Sequence, residues 1–582
     1  MNFLKNILST LVALIIFSVV SILIFVAVIG SLADEPPVEV KSNSVLHLKL
    51  DKPISEVEFD NQLESLEFLP SAPSTIGLVQ LKEAIVQAKT DEKIKGIYLD
   101  APYVMAGMAV LQELREALVD FKSSGKFIVA YGEFYTEPSY YLVSVADQVF
   151  LHPEGDLEFN GLGANVTFFK GMFEKLDIEP QIFRVGEFKS AVEPFIRKDL
   201  SQENKLQINE MLSSINSNLL DSISTGRNIS SDRLKAISDG MEVRNPQDAM
   251  ALNLVDSLYY FDQVMSVLKQ NAGIEEDKEI EFIKYNKYNK SYSNYKKADS
   301  EIAVIVASGD IVSGKGDVNT IGSENFSKEI RKARKNDKIK AIVLRINSPG
   351  GSFLASDVMW REIKLAAAEK PVIASMSDLA ASGGYYMAMA CDTIIAQPTT
   401  ITGSIGIFGM LFNAKGFLNN KLGITHDEVA TGEYSNYITM TRPLTDQERR
   451  IIQNDVEKGY ETFITKAAEG RGMSVEAIKS VASGRVWTGI QAKERGLVDM
   501  LGDLEDAIAV ASEKAGVSEY RVRYYPKQRS LIDQIMQDLE GESSAKVLES
   551  ELGEYYNYVE QVRSVQRMNG LQAKWPFELE IN

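Results

Sequence analysis

The chain repeats itself, and the repeat limits what it can fold into more than any other feature. Lys93-Ile94-Lys95-Gly96-Ile97-Tyr98-Leu99-Asp100 is echoed by Lys338-Ile339-Lys340-Ala341-Ile342-Val343-Leu344-Arg345, 338 less 93 or 245 positions later. The same offset carries Tyr140-Tyr141 onto Tyr385-Tyr386 and Ala146-Asp147 onto Cys391-Asp392. At 582 residues the chain exceeds one ordinary core, so two homologous halves with extensions are expected. The mismatches within the register carry the chemistry. Ser382 stands where the first copy has Glu137, and Lys189 meets Ser435 after a one-residue shift. One copy holds a serine without the lysine and the other the lysine without the serine, as in a duplicated enzyme that kept one composite site.

In the second copy, short strands alternate with glycine turns and helices. Ala341 to Ile346 is apolar and β-branched, as in a buried strand, and runs into the turn Asn347-Ser348-Pro349-Gly350-Gly351-Ser352. Helical spacing follows from Phe353 to Lys370, then a strand at Val372 to Ser375, the Ser382 turn and a helix through about Ala390. Ile394-Ile395-Ala396 and the turn Thr402-Gly403-Ser404-Ile405-Gly406 complete the series. This rhythm predicts an α/β fold with largely parallel strands and a binding edge where the glycine turns gather.

Charge and composition exclude several classes. A net charge of −19 leaves no basic face for nucleic acid. A single cysteine, Cys391, excludes an intrachain disulfide and a thiolate zinc cluster. His47, His152 and His426 lie apart and outside every glycine-rich motif, so no metal is expected. Ile7 to Gly30 is almost wholly apolar and long enough to cross a bilayer, with Lys5 before it and Asp34 and Glu35 after it. Those flanks predict a single-pass anchor with residues 1–6 in the cytoplasm and the body outside it. Ser31-Leu32-Ala33 leaves a cleaved signal peptide as the alternative. The expected organisation is an anchor at 7–30, a stalk at 31–44, a first half at 45–282, a linker at 283–299, a second half at 300–525 and a helical extension at 526–582.

Serine is a weak nucleophile until a neighbouring base takes its proton. No histidine accompanies Ser382, whereas Lys189 sits among Phe188, Ala191, Val192 and Phe195, a setting able to lower an amine pKa by desolvation. Glu187 and Glu193 would oppose that shift, and are expected to point away. The amide of Gly383, at a helix start, and a second donor from Gly350-Gly351 (Gly351) suit a developing oxyanion. Ser404 is a candidate to orient the lysine amine by hydrogen bonding. Phe353, Met387, Phe408 and Met410 suggest an apolar pocket, or simply core. Ser293-Asn294-Tyr295-Lys296 has Ser-x-x-Lys spacing, but it lies in the linker without a helix signature and is set aside.

The three glycine turns, together with Gly186-Glu187-Phe188-Lys189-Ser190-Ala191-Val192-Glu193-Pro194-Phe195, resemble the long, duplicated form of signal peptide peptidase A, or protease IV. The resemblance covers nearly the whole chain. It implies two halves of the Clp protease/crotonase-like fold, built of repeated ββα units, after one transmembrane helix. It implies a serine endopeptidase of the bacterial inner membrane, its body on the periplasmic side, that cuts signal peptide remnants and other hydrophobic peptides. Ser382 would be the nucleophile and Lys189 the general base, with no cofactor, in a homotetramer. Two other classes compete: a crotonase-type enzyme acting on acyl-CoA, and an anchored scaffold with decayed sites. The first is disfavoured by the anchor and the second by the intact motifs.

Overall fold

The computed structural model describes residues 38–58, 75–292, 298–317, 320–526, 571–574 and 580–581, with scattered positions between 10 and 20. The repeat is a structural one. In the first half, parallel strands run in the order Phe282–Lys284, Ser44–Lys49, Ile94–Asp100, Phe127–Tyr135, Gln148–Leu157, Ser257–Leu258. The second half repeats that order with Arg521–Tyr525, Glu301–Ser308, Ile339–Ser348, Val372–Ala381, Thr393–Ala396 and Met500–Leu501. Helices cover both faces, and strand Ile339–Ser348 is accordingly apolar along most of its length rather than alternating.

Hydrogen bonds recur with the register. The Tyr140 hydroxyl donates to Leu254 O (2.7 Å) and the Tyr385 hydroxyl to Leu497 O (3.0 Å). Asp147 accepts from Ile128 N, and Asp392 from Val372 N, each at 2.8 Å. The long helices also match. Gln202–Arg227 starts on Ser201, while Asp446–Arg471 starts on a reciprocal Thr445/Glu448 cap and stops at Gly472, where φ is 62°.

The halves dock through buried polar contacts. Arg345 donates to Glu56 Oε2 and Glu113 Oε1 of the first half, both at 2.7 Å, and to Ser375 Oγ at 3.0 Å. Lys82 Nζ of the first half is surrounded by Glu113 (3.3 Å), Asp503 (2.7 Å) and Glu505. Asp378 caps the helix Met108–Lys122 by accepting from Ala109 N (2.9 Å) and Val110 N (3.0 Å).

A third sheet is shared between the halves. Glu179–Arg184 pairs antiparallel with Phe408–Asn413, which pairs antiparallel with Leu571–Lys574, which pairs antiparallel with Gly350–Ser352. Asp310–Val312 and Thr320–Gly322 extend its far side.

The expected anchor, linker and C-terminal extension meet the described residues unevenly. The predicted anchor at 7–30 lies almost entirely outside the described residues; among those described, no helix is long and apolar enough to cross a membrane. The linker at 283–299 is not structureless. It begins inside a strand and continues as helix Tyr285–Ser291, because Tyr288 is buried and its hydroxyl donates to Asp91 Oδ2 at 2.9 Å. Ser293 to Lys296 lies outside the described residues. In the predicted helical extension, residues 527–570 lie outside the described residues, while Leu571–Lys574 and Glu580–Ile581 are strands fixed by sheet partners.

Candidate active site

Strand Val372–Ala381 ends in Ser382, whose φ of 55° and ψ of −110° are strained for a residue with a Cβ. Such a conformation costs on the order of 1–3 kcal/mol and persists only where the surroundings enforce it. Here Ser382 N donates to Gly403 O (2.8 Å), and Ser382 O accepts from Tyr386 N (2.8 Å) in the first turn of helix Gly383–Ala388. Thr402 Oγ1 donates to Ala380 O at 2.7 Å, fastening the second turn to the third. Glu137, the equivalent residue in the first half, has no such geometry. Its carboxylate accepts from Gly161 N (2.8 Å) and Asn160 N (3.1 Å) beneath the surface.

The lysine arrives from the other half. Arg184 closes the shared strand, and Lys189 follows five positions later on a loop held by the second half. Phe188 N donates to Ser483 O (3.1 Å), and Gln207 Nε2 bonds Phe188 O (3.3 Å) and Ser190 Oγ (2.9 Å). Gly484 sits directly on the Lys189 backbone. A Cβ there would lie 2.6 Å from the Lys189 nitrogen.

Lys189 Nζ therefore lies 2.9 Å from Ser382 Oγ, 3.0 Å from Ser404 Oγ and 3.2 Å from Ser404 O. All three residues are buried. Desolvation lowers the Lys189 pKa from 10.5 to about 7, because burial disfavours the ammonium form. Glu187 is exposed as expected. Glu193 is buried instead, but its carboxylate accepts from Asn204 Nδ2 (3.0 Å) and Ser201 N (3.2 Å) and makes no bond to the lysine.

Gly350, at φ 94°, borders the same point. A Cβ on it would fall 2.6 Å from Gly383 N and collide with the Ala573 carbonyl oxygen. A side-chain-free cradle with backbone amides thus opens beside Ser382. Of the four residues suggested as a pocket, Met387, Phe408 and Met410 belong to buried clusters, Phe408 packing on Ala191 and Val192. Phe353 packs against the Tyr386 ring at 5.7 Å. The histidines stand apart: His47 pairs with Asp100 (3.2 Å), and His152 accepts from Glu154 N.

Of the residues that sequence reasoning placed in one site, Ser382, Lys189 and Ser404 lie within bonding distance and Gly383 sits against Gly350, while the neighbouring Gly351 packs against the Ile311 backbone. It missed the Ser483-Gly484 clamp, for which Gly484 at φ 79° was the available signal. It also missed Leu571–Lys574, which has no local signature.

The family model described as Peptidase family S49 matches residues 120–275 and again 364–518, reproducing the internal repeat. The model described as Clp protease matches residues 295–402, which include the Gly350 and Ser382 turns. The chain is 39% identical over 510 residues to "Serine protease SPPA, chloroplastic" of Arabidopsis thaliana, covering 85% of this chain and 72% of that one. "Protease 4" of Salmonella typhi is 38% identical, with 81% and 78% covered. "Protease 4" of Haemophilus influenzae is 33% identical, with 89% and 88% covered. With both copies matched and these relatives aligned along most of their length, the chain belongs to peptidase family S49 and is a serine peptidase of Clp protease-like fold.

Proposed function

We propose that this serine peptidase works by a Ser/Lys dyad drawn from its two halves, with residues 45–282 donating the base and 300–525 the nucleophile. The observation that carries the reading is the buried 2.9 Å approach of Lys189 Nζ to Ser382 Oγ, with the amine pKa brought down to about 7. At neutral pH a large fraction of that amine is free to accept the Ser382 hydroxyl proton as Oγ attacks a peptide carbonyl. The ammonium so formed then donates its proton to the leaving amine. Ser404 orients Nζ toward Oγ through its hydroxyl and carbonyl. The amides of Gly351 and Gly383 stabilise the oxyanion, a contribution worth about 3–4 kcal/mol per donor in comparable sites.

A relative bearing the words "signal peptide peptidase" supports cleaved signal peptides and other hydrophobic peptides as substrates. The apolar run at 7–30 supports a retained anchor, with the body outside the cytoplasm at a bacterial inner membrane. A homotetramer is the assembly proposed. Labelling with a fluorophosphonate or peptide-aldehyde probe tests the dyad. Modification at Ser382 should be lost in both Ser382→Ala and Lys189→Ala on folded protein. Labelling that survives Lys189→Ala would refute the lysine as base.

A further inference from the structure

The loop that brings Lys189 to the serine is pinned from the other half by one side chain. Val185 to Phe188 are partly or fully exposed, whereas Lys189 and Ser190 are buried. The guanidinium carbon of Arg485 stands 4.8 Å from the centroid of the Phe188 ring and 4.3 Å from that of Trp487. Trp487 is itself fixed: its Nε1 donates to Val481 O at 2.9 Å, and the Arg495 guanidinium covers it at 3.8 Å. Arg485 also bonds the Glu210 carboxylate on helix Gln202–Arg227. Its Nε is buried with no hydrogen-bond partner among the described residues, so two rings and one carboxylate hold the group.

The main chain of the same residue reaches the other partner of the amine. Arg485 O accepts from Ser404 N at 2.7 Å, and Arg485 N donates to Ala482 O at 3.0 Å, closing the turn whose Gly484 backs Lys189. Val486–Thr488 then pairs antiparallel with Ile401–Gly403, the strand that enters the third glycine turn. The first half has no counterpart. Aligned on Leu254-Val255-Asp256 and Leu497-Val498-Asp499, 497 less 254 or 243 positions apart, the equivalent of Arg485 is Glu242. Glu242 pairs with Arg233 (2.7 Å) at the surface of the copy that lacks the serine.

We propose that Arg485 is a positioning residue for the general base, its guanidinium bridging Phe188 to Trp487 so that the Lys189 loop stays shut on the second half. The proposal rests on the Ser/Lys reading above. A flat guanidinium can stack on a ring and pair with a carboxylate at once, which an ammonium does poorly. Among the described residues no carboxylate bonds Lys189 Nζ. Glu187 is exposed, Glu193 is bonded to Asn204 and Ser201, and the nearby Arg184 donates to the Lys189 carbonyl at 3.4 Å. The lowered pKa of the amine therefore depends on keeping water out. With the bridge gone, water reaches Nζ and the pKa moves back toward that of an ordinary lysine.

The second-order rate of fluorophosphonate labelling at Ser382, followed between about pH 5 and 10, reads the Lys189 proton without a peptide substrate. Wild type should show a midpoint near 7. Arg485→Ala should raise it by about one pH unit, which slows labelling about fivefold at pH 7 and leaves it nearly unchanged at pH 10. Arg485→Lys keeps the charge without the flat stack, and should shift in the same direction. Phe188→Leu removes the other side of the stack and leaves Arg485 bonded to Ser404, so it should show the shift even if Arg485→Ala folds poorly. The double variant should shift no further than either single one. A midpoint that stays near 7 in these variants, or a loss of labelling equal at every pH, overturns the positioning role and leaves the dyad standing. Labelling that persists in Lys189→Ala overturns the dyad and this proposal together.

Discussion

Replacing Lys189 by Met should make the protein inactive and, at neutral pH, more stable. The side chain is buried and its pKa falls from 10.5 to about 7. At 1.36 kcal/mol per pKa unit, and with the folded amine half protonated at pH 7, holding it in the folded chain costs about 4 kcal/mol there. The unfolded chain binds the proton between pH 7 and 10.5 while the folded chain has released it, so stability rises with pH across that window. Near pH 9 the burden has shrunk to about 2 kcal/mol. Methionine fills a similar volume without charge but forfeits the bonds to Ser382 and Ser404, at about 1 kcal/mol each. Lys189→Met should therefore exceed wild type by roughly 2 kcal/mol at pH 7, with the advantage nearly gone at pH 9. Urea unfolding of both proteins, followed by near-UV signal at pH 7, 8 and 9, reads the difference directly. A gap that does not change with pH would show that Lys189 stays charged in the fold, and the reasoning would fail.

Four further outcomes follow from the same geometry. Between pH 5 and 9, kcat/KM on a fluorogenic peptide should rise tenfold per pH unit and level off above about 7, the Lys189 value; a limb still climbing at pH 9.5 would contradict it. Ser404→Ala, removing the 3.0 Å contact to Nζ, should cut kcat by about 10²-fold with little change in KM, as steady-state kinetics would show. Gly350→Ala places a methyl in the cradle at a φ of 94°. It should abolish turnover and probe labelling while leaving circular dichroism unchanged. Arg345→Met leaves Glu56 and Glu113 buried beside no guanidinium, and should destabilise the protein by about 3–5 kcal/mol in denaturant melts.

Much of this was legible because the chemistry is written in local segments. The strand-turn-helix units around Gly350, Ser382 and Ser404 have the apolar runs and glycines that such units need. The one-residue shift that set Lys189 against Ser435 exposed the division of labour. What stayed hidden depends on contacts between distant segments. The Tyr285–Ser291 helix looked like linker because its polar residues outnumber the apolar ones, yet it is seated by two buried rings, Tyr285 and Tyr288. Glu193 was read by its charge alone, and its partner Asn204 comes from the next long helix. Leu571–Lys574 has too few residues to show a period, and its conformation is imposed by strands more than 150 residues earlier.

The antiparallel seam between Glu179–Arg184 and Phe408–Asn413 has a consequence for how the molecule comes to life. On the proposed dyad, translation delivers the base first and the nucleophile nearly two hundred residues later. A half-made chain holds an amine with nothing to activate, and a chain long enough to hold the serine still lacks the Gly484 clamp. On that reading the hydrolase is armed only when the last third of the sequence has closed over the first. The same seam offers a way to disarm it. A ligand that wedges these two strands apart would separate Lys189 from Ser382 without entering the peptide groove.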